Sequence, residues 1–266
     1  MKLVSDIDPM EWWKVLLFGA PGAGKTWLAG TFPSPAFVDT DGGMRTLASK
    51  PFMEKYPGQQ IFYESFDDPT DEYGAFTQAT GFWKAMDFAN KLVEEENVKT
   101  IVFDSLSSLQ VLGMHVGMEL SGQHRKSQTM AKMEAARKGK GIPVAIPTQA
   151  DYGSEMAVFE QFMDKAITIP KHVIFIAHER DVTGDSGALL RRDPLLVGQA
   201  IRAKIAKWFD EVWYLDIGPQ QKRVLHTQST ATLKAVKSRS GLPAKIENPD
   251  FVTIASAVEE QWQTKS

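Results

Sequence analysis

Residues 14–26 read KVLLFGAPGAGKT, a short apolar run that passes into a glycine-rich turn and a lysine–threonine pair. The run has the continuity of a strand covered on both faces, and the GxxxxGKT pattern of residues 19–26 follows it without a break. Gly19, Gly22 and Gly24 allow the backbone to turn so that successive N–H groups face one anion, and the helix expected from Lys25 directs its positive end there. Lys25 supplies a point charge to β and γ phosphates, and the Thr26 hydroxyl is a ligand for Mg²⁺. A glycine-rich turn with an incidental lysine is the competing explanation; the strand before it and the helix after it argue against that. The pattern points to nucleotide binding by Gly19, Ala20, Pro21, Gly22, Ala23, Gly24, Lys25, Thr26 and Trp27, with ATP and Mg²⁺ as the bound groups.

Outward from this loop, similar runs recur at 36–40 (AFVDT), 100–105 (TIVFDS) and 172–179 (HVIFIAHE), with helical stretches between them. The helices are expected over Lys25–Gly30, Ala75–Glu96, from near Ser105, and over Tyr152–Ile169, where Phe159, Phe162, Met163 and Ala166 recur at helical spacing. Alternation of this kind predicts an α/β fold with a mostly parallel sheet flanked by helices. The last third, with EVWYLDIG (211–218), KRVLHTQ (222–228) and ATLKAVK (231–237), reads as an antiparallel meander extending the sheet. A final helix is expected over Thr253–Trp262. No repeat or linker divides the chain, so one domain is expected over 1–266, its core at about 13–243 and its tail at 244–266.

The TIVFD run ends in Asp104 at the strand's C-terminal end, the edge where ligands bind in such sheets. Asp104 is a candidate to hold Mg²⁺ beside Thr26; turn initiation is the alternative. The next residue is Ser105, not a glutamate, so a carboxylate that orients water must come from elsewhere. FVDTDGG supplies one: Asp39 and Asp41 stand two apart on an extended segment and are expected to point the same way. An Asx-type turn closing the strand is the alternative there.

Composition narrows the chemistry. The 266 residues carry 30 Lys and Arg against 33 Asp and Glu, a net charge of −3, so the chain is not basic overall. Cysteine is absent, which excludes disulfides, thiolate metal sites and a cysteine nucleophile. No apolar run approaches the roughly 18 residues of a membrane span, and the N-terminal residues do not resemble a secretory signal. A cytoplasmic protein without membrane contact is expected. One segment departs from the average: residues 121–148 hold Arg125, Lys126, Lys132, Arg137, Lys138 and Lys140 against Glu134 alone, a local charge of +5.

In their order, GAPGAGKT, FVDTDGG, TIVFDSLSSL, VIFIAHERD and LKAVKSRSGLP resemble the RecA-type core P-loop ATPases. The closer likeness is to the phage Sak-type proteins of single-strand annealing and recombination, over roughly Trp13 to Pro243. The resemblance implies a RecA-like P-loop NTPase. It places Asp41 where the catalytic glutamate stands, with DTD one methylene shorter than the family's DAE-like sequence, and His178 where a polar side chain senses the γ-phosphate. Glu179 is a weaker candidate beside it. Lys237 and Arg239 match a pair that reaches a neighbouring subunit's ATP. The family's two DNA-lining loops fall on the basic segment and on 179–194, with Arg191 and Arg192. A host bacterial cytoplasm, single-stranded DNA, a homo-oligomeric ring or filament and a single-strand-binding protein follow as expected context. Trp12, Trp13 and Trp27 lie near the P-loop as candidates for stacking on adenine, with core packing or an interface as the favoured use. The alternatives are a P-loop small-molecule kinase, against which the KSR element and the missing arginine-rich lid count, and a nucleotide-gated binding protein with little turnover.

Overall fold

The fold is taken from a computed structural model that describes residues 3, 8, 10–72, 76–122, 147 and 149–263. The strands are β1 (Lys14–Gly19), β2 (Pro35–Asp39), β3 (Phe62–Ser65), β4 (Thr100–Asp104), β5 (His172–Thr183), β6 (Leu189–Pro194), β7 (Glu211–Ile217), β8 (Arg223–His226), β9 (Lys237–Ser238) and β10 (Lys245–Glu247). The α-helices are α1 (Lys25–Gly30), α2 (Lys50–Lys55), α3 (Gly81–Glu94), α4 (Leu106–Gly122), α5 (Gln149–Ala166), α6 (Gln199–Lys204) and α7 (Phe251–Gln263). The sheet runs β10-β8-β7-β1-β5-β4-β2-β3, parallel from β7 to β3 and antiparallel beyond β7, with β6 paired to β5 and β9 to β7. This is the expected mostly parallel α/β sheet with an antiparallel C-terminal extension.

Period-two alternation divides the central strands between two cores. Leu16, Phe18, Ala36, Val38, Ile101, Phe103, Val173 and Phe175 face α3, α4 and α5. Val15, Leu17, Phe37, Val102, Ile174 and Ile176 face α1, α2 and α7. Because the central strands are buried on both sides, their sequences read as unbroken apolar runs.

Several expectations need correction. Of the strand expected over 231–237 only Lys237–Ser238 is extended, and it pairs with the start of β7 instead of continuing the meander. The Thr230 hydroxyl accepts the Leu233 N–H, and Leu233 and Val236 plug a core three residues apart, a turn's spacing. The stretch 179–194 is largely a hairpin, since β5 continues to Thr183 and pairs with β6. β3 and β10 escaped the sequence pattern because both are short edge strands with half-exposed or exposed residues. α3 starts at Gly81, not near residue 75, because the Asp68 carboxylate accepts the N–H groups of Thr80 and Gly81. α5 begins at Gln149 and stops at Ala166; α7 runs a little beyond its expected bounds at each end.

Candidate functional site

The C-terminal ends of β1, β2 and β4 lie level with Ile176–His178, where β5 leaves the parallel sheet for its hairpin. Asp39 is in register with Asp104, and Gly19 with His178. Every loop leaving this edge can therefore converge on one place.

Gly22 and Gly24 adopt left-handed φ values of 79° and 100°, which tighten the loop ahead of α1. Lys25 is buried, and its Nζ donates to the Gly19 and Ala20 carbonyls at 2.8 Å each, folding back into the cradle its own loop makes. Burial lowers the Lys25 pKa, against the opposing pull of Asp104, Glu179 and Asp41.

Thr26 Oγ1 donates to Asp104 Oδ2 at 2.6 Å, so the two expected metal ligands meet. Asp104 is 3% exposed, and burial pushes its carboxyl up to about 6, with the Thr26 hydrogen bond working the other way. Among the described residues no group of three or more His, Asp or Glu is arranged to hold a metal ion alone. One hydroxyl and one buried carboxylate fit Mg²⁺, which keeps waters and takes phosphate oxygens as its remaining ligands.

Asp39 and Asp41 do not share a role. The chain leaves β2 after Asp39, and Asp39 Oδ1 accepts the N–H groups of Asp41 at 3.2 Å and Gly42 at 2.9 Å, while Ser65 Oγ donates to its other oxygen at 2.8 Å. The Asx-type turn therefore exists, and it belongs to Asp39. It corrects the expectation of an extended segment running through both residues. The turn carries Gly43 against the Thr26–Asp104 pair, where an added Cβ would stand 3.6 Å from both Thr26 Oγ1 and Asp104 Oδ2.

Asp41 is thereby delivered to His178 Nε2 at 2.9 Å and receives Ser108 Oγ at 2.7 Å. Its pKa is lowered chiefly by the His178 hydrogen bond, with burial opposing and Ser108 and Lys25 assisting. The sequence does not mark Ser108: it stands in the first turn of α4, and nothing in SLSSL sets it apart from Ser105 or Ser107. Ser107 in turn accepts the His178 N–H at 3.1 Å and donates to the Leu195 carbonyl at 2.8 Å, tying the middle of β5 to the return from the hairpin.

The chain belongs to the AAA domain family AAA_24. Its family model matches residues 11–240, a span that contains every group just described. No curated protein matches the chain. The match makes this a P-loop ATPase domain of the AAA type. No helix among the described residues is long and apolar enough to cross a membrane.

The remaining expected residues of this AAA domain are dispersed. Lys237 and Ser238 pair with Val212 and Glu211 at the start of β7, and Arg239 Nη1 meets Asp210 Oδ1 at 2.7 Å. The Asp210 N–H reaches the Lys14 carbonyl at the start of β1, so Lys237 and Arg239 occupy the sheet edge opposite their own P-loop. Arg191 and Arg192 point to opposite sides of β6. Arg191, paired with Asp193 at 2.8 Å, lines a cleft of about 630 Å³ with that aspartate and with Arg180, Arg202 and Lys234. Arg192 turns inward to Tyr214 at 2.8 Å and Asp181 at 3.2 Å. Glu179, beside His178, acts on Arg192 and Tyr214 of that cluster, and its Oε2 is buried without a hydrogen-bond partner among the described residues. Trp13 sits in the core, packed edge-on to Phe32 and Trp213. Arg125, Lys126, Lys132, Arg137, Lys138 and Lys140 lie outside the described residues.

Proposed function

We propose that the chain is a single RecA-like ATPase domain that hydrolyses ATP with Mg²⁺, binds single-stranded DNA and acts in phage-type recombination or strand annealing as a ring or filament. The observation that carries hydrolysis is Asp41: a carboxylate kept ionised by His178 and Ser108, set beside the Thr26–Asp104 pair and Lys25. Lys25 exchanges its two carbonyl partners for phosphate oxygens when nucleotide enters. Mg²⁺, held by Thr26 and Asp104, would neutralise charge on the β and γ phosphates. Asp41 accepts a proton from the attacking water and orients it. His178 bridges Asp41 and the terminal phosphate, so the water and the phosphate are read by one imidazole.

Lys237 and Arg239 sit where their own nucleotide is out of reach, which suits a contact to a neighbouring subunit's ATP. DNA binding draws support from the cations of the hairpin cleft and from the +5 segment, which suit a phosphate backbone.

Turnover with and without single-stranded DNA, in wild type and Lys25→Ala, tests the reading. DNA-stimulated hydrolysis that disappears in Lys25→Ala is expected; no stimulation and no gel shift at low salt removes DNA from the function. Asp41→Asn is expected to lower kcat by about 10²- to 10⁴-fold with ADP affinity little changed. Mixing inactive Lys25→Ala with inactive Arg239→Ala subunits restores activity if Arg239 acts in trans, and failure in confirmed mixed oligomers rejects that role.

A further inference from the structure

Arg223, at the start of β8, was singled out by no sequence motif, yet its side chain lies on the P-loop. Its Nε donates to the Ala23 carbonyl at 3.2 Å, and its guanidinium carbon stands 5.4 Å from the centre of the Trp27 ring. The approach is close enough that a Cβ on Gly24 would stand 2.3 Å from Arg223 Nε. Gly24 is required by its φ of 100°, and a side chain there would also push Arg223 off the loop. The two Nη groups of Arg223 have no hydrogen-bond partner among the described residues. A half-buried guanidinium that spends one donor on the loop, sets one face toward Trp27 and keeps its other face and its Nη donors without a partner among the described residues is equipped for a ligand.

The sheet order gives the direction. Thr26, Asp104, Asp41 and His178 gather over β4, β2 and β5, on one side of β1. β8 lies on the other side of β1, beyond β7. A nucleotide whose terminal phosphate is held at the first group must run its nucleoside away from them, past Gly24 and toward β8.

We infer that Arg223, backed by Trp27, forms the subsite for the nucleoside end of the bound nucleotide, its guanidinium plane stacking on the base. This inference rests on the nucleotide-binding reading of the P-loop. Stacking on a guanidinium accepts any base, because every base presents a π face, so Arg223 adds affinity with little discrimination among bases. As a residue that touches the substrate away from the reacting atoms, it acts on binding and not on the chemical step.

Calorimetric titration of ADP and of inorganic tripolyphosphate, each with Mg²⁺, into the full chain separates the nucleoside from the phosphates. In Arg223→Gln, which can still donate to Ala23, the ADP Kd is expected to rise about 2- to 30-fold. Tripolyphosphate affinity stays at the wild-type value, and GDP loses affinity by a factor similar to ADP. Arg223→Lys, which keeps the charge but not the plane, shows the same selective loss. Equal loss for ADP and tripolyphosphate places Arg223 on the phosphates and overturns the inference. Unchanged affinity for both, with a lowered Tm, makes Arg223 a clamp on Trp27 and overturns it as well. The nucleotide reading fails separately, and takes this inference with it, if wild type binds neither ligand or if Lys25→Ala binds both as wild type does.

Discussion

Glu211 decides where Lys237 and Arg239 stand, and its removal has a calculable cost. The side chain is fully buried at the start of β7. Its Oε1 accepts the N–H groups of Arg239 at 2.9 Å and Ser240 at 2.8 Å and the Ser238 hydroxyl at 3.1 Å, and its Oε2 accepts Trp213 Nε1 at 2.8 Å. Burial raises its pKa against these bonds, so the carboxylate is costly to keep and its partners are what hold it. Alanine at this position leaves four donors without their acceptor. The Arg239 N–H keeps the Asp210 carbonyl at 3.3 Å, and the Ser238 hydroxyl, half-exposed, regains water. Ser240 N and Trp213 Nε1 stay dry, each at about 1–3 kcal/mol, so Glu211→Ala is expected to cost about 4 kcal/mol. Glu211→Gln keeps an oxygen for the Ser238–Ser240 turn but sets an amide N–H₂ against Trp213 Nε1, and is expected to cost about 2 kcal/mol. Urea unfolding followed by far-ultraviolet circular dichroism measures both, with the same m-value as wild type. The reasoning is refuted if Glu211→Ala loses less than about 1 kcal/mol, or if glutamine is as damaging as alanine. If Lys237 and Arg239 act on a neighbouring subunit, Glu211→Gln also lowers kcat more than nucleotide affinity.

Gly24→Ala meets both the left-handed φ and the Arg223 contact, so a stability loss of about 1–3 kcal/mol and weakened ADP binding are expected by thermal melting and titration; wild-type values for both refute it. His178→Ala removes the bond that does most to lower the Asp41 pKa, so Asp41 protonates at higher pH and the acid limb of the kcat/KM profile moves upward; an unmoved limb removes Asp41 from that limb. Glu155, buried against Gln110 at 2.8 Å, has its carboxyl raised by burial from 4.5 to about 7. Between these values the folded state holds the proton and the unfolded state does not, so stability falls as pH rises through the window. The full cost, about 3 kcal/mol, is reached above about pH 7. Glu155→Gln is expected to stabilise the protein at pH 8 and leave it unchanged at pH 4, as denaturant melts at the two values show.

The P-loop was legible because its chemistry is local. A buried strand, glycines that admit positive φ and a lysine at fixed spacing are set within thirteen residues, 14–26, and no distant partner is needed to read them. Asp104 was legible for the same reason, as the polar end of an apolar strand. The edge strands β3 and β10 were not, because exposed residues carry no burial pattern. The meander failed at 231–237 because Ala231, Leu233 and Ala235 alternate as a strand would, whereas the residues that enter the core are Leu233 and Val236, a turn apart.

Sequence alone therefore determined the parallel core, the phosphate loop and the pair Thr26 and Asp104, all products of short-range periodicity and backbone freedom. Tertiary structure decided which aspartate of DTD faces the site, since Asp39 is consumed by its own turn and only Asp41 meets His178 and Ser108. It also put Lys237 and Arg239 on the far edge of the sheet and Arg223 on the P-loop. Those placements depend on which strands become neighbours, a property of long-range pairing that no local spacing encodes.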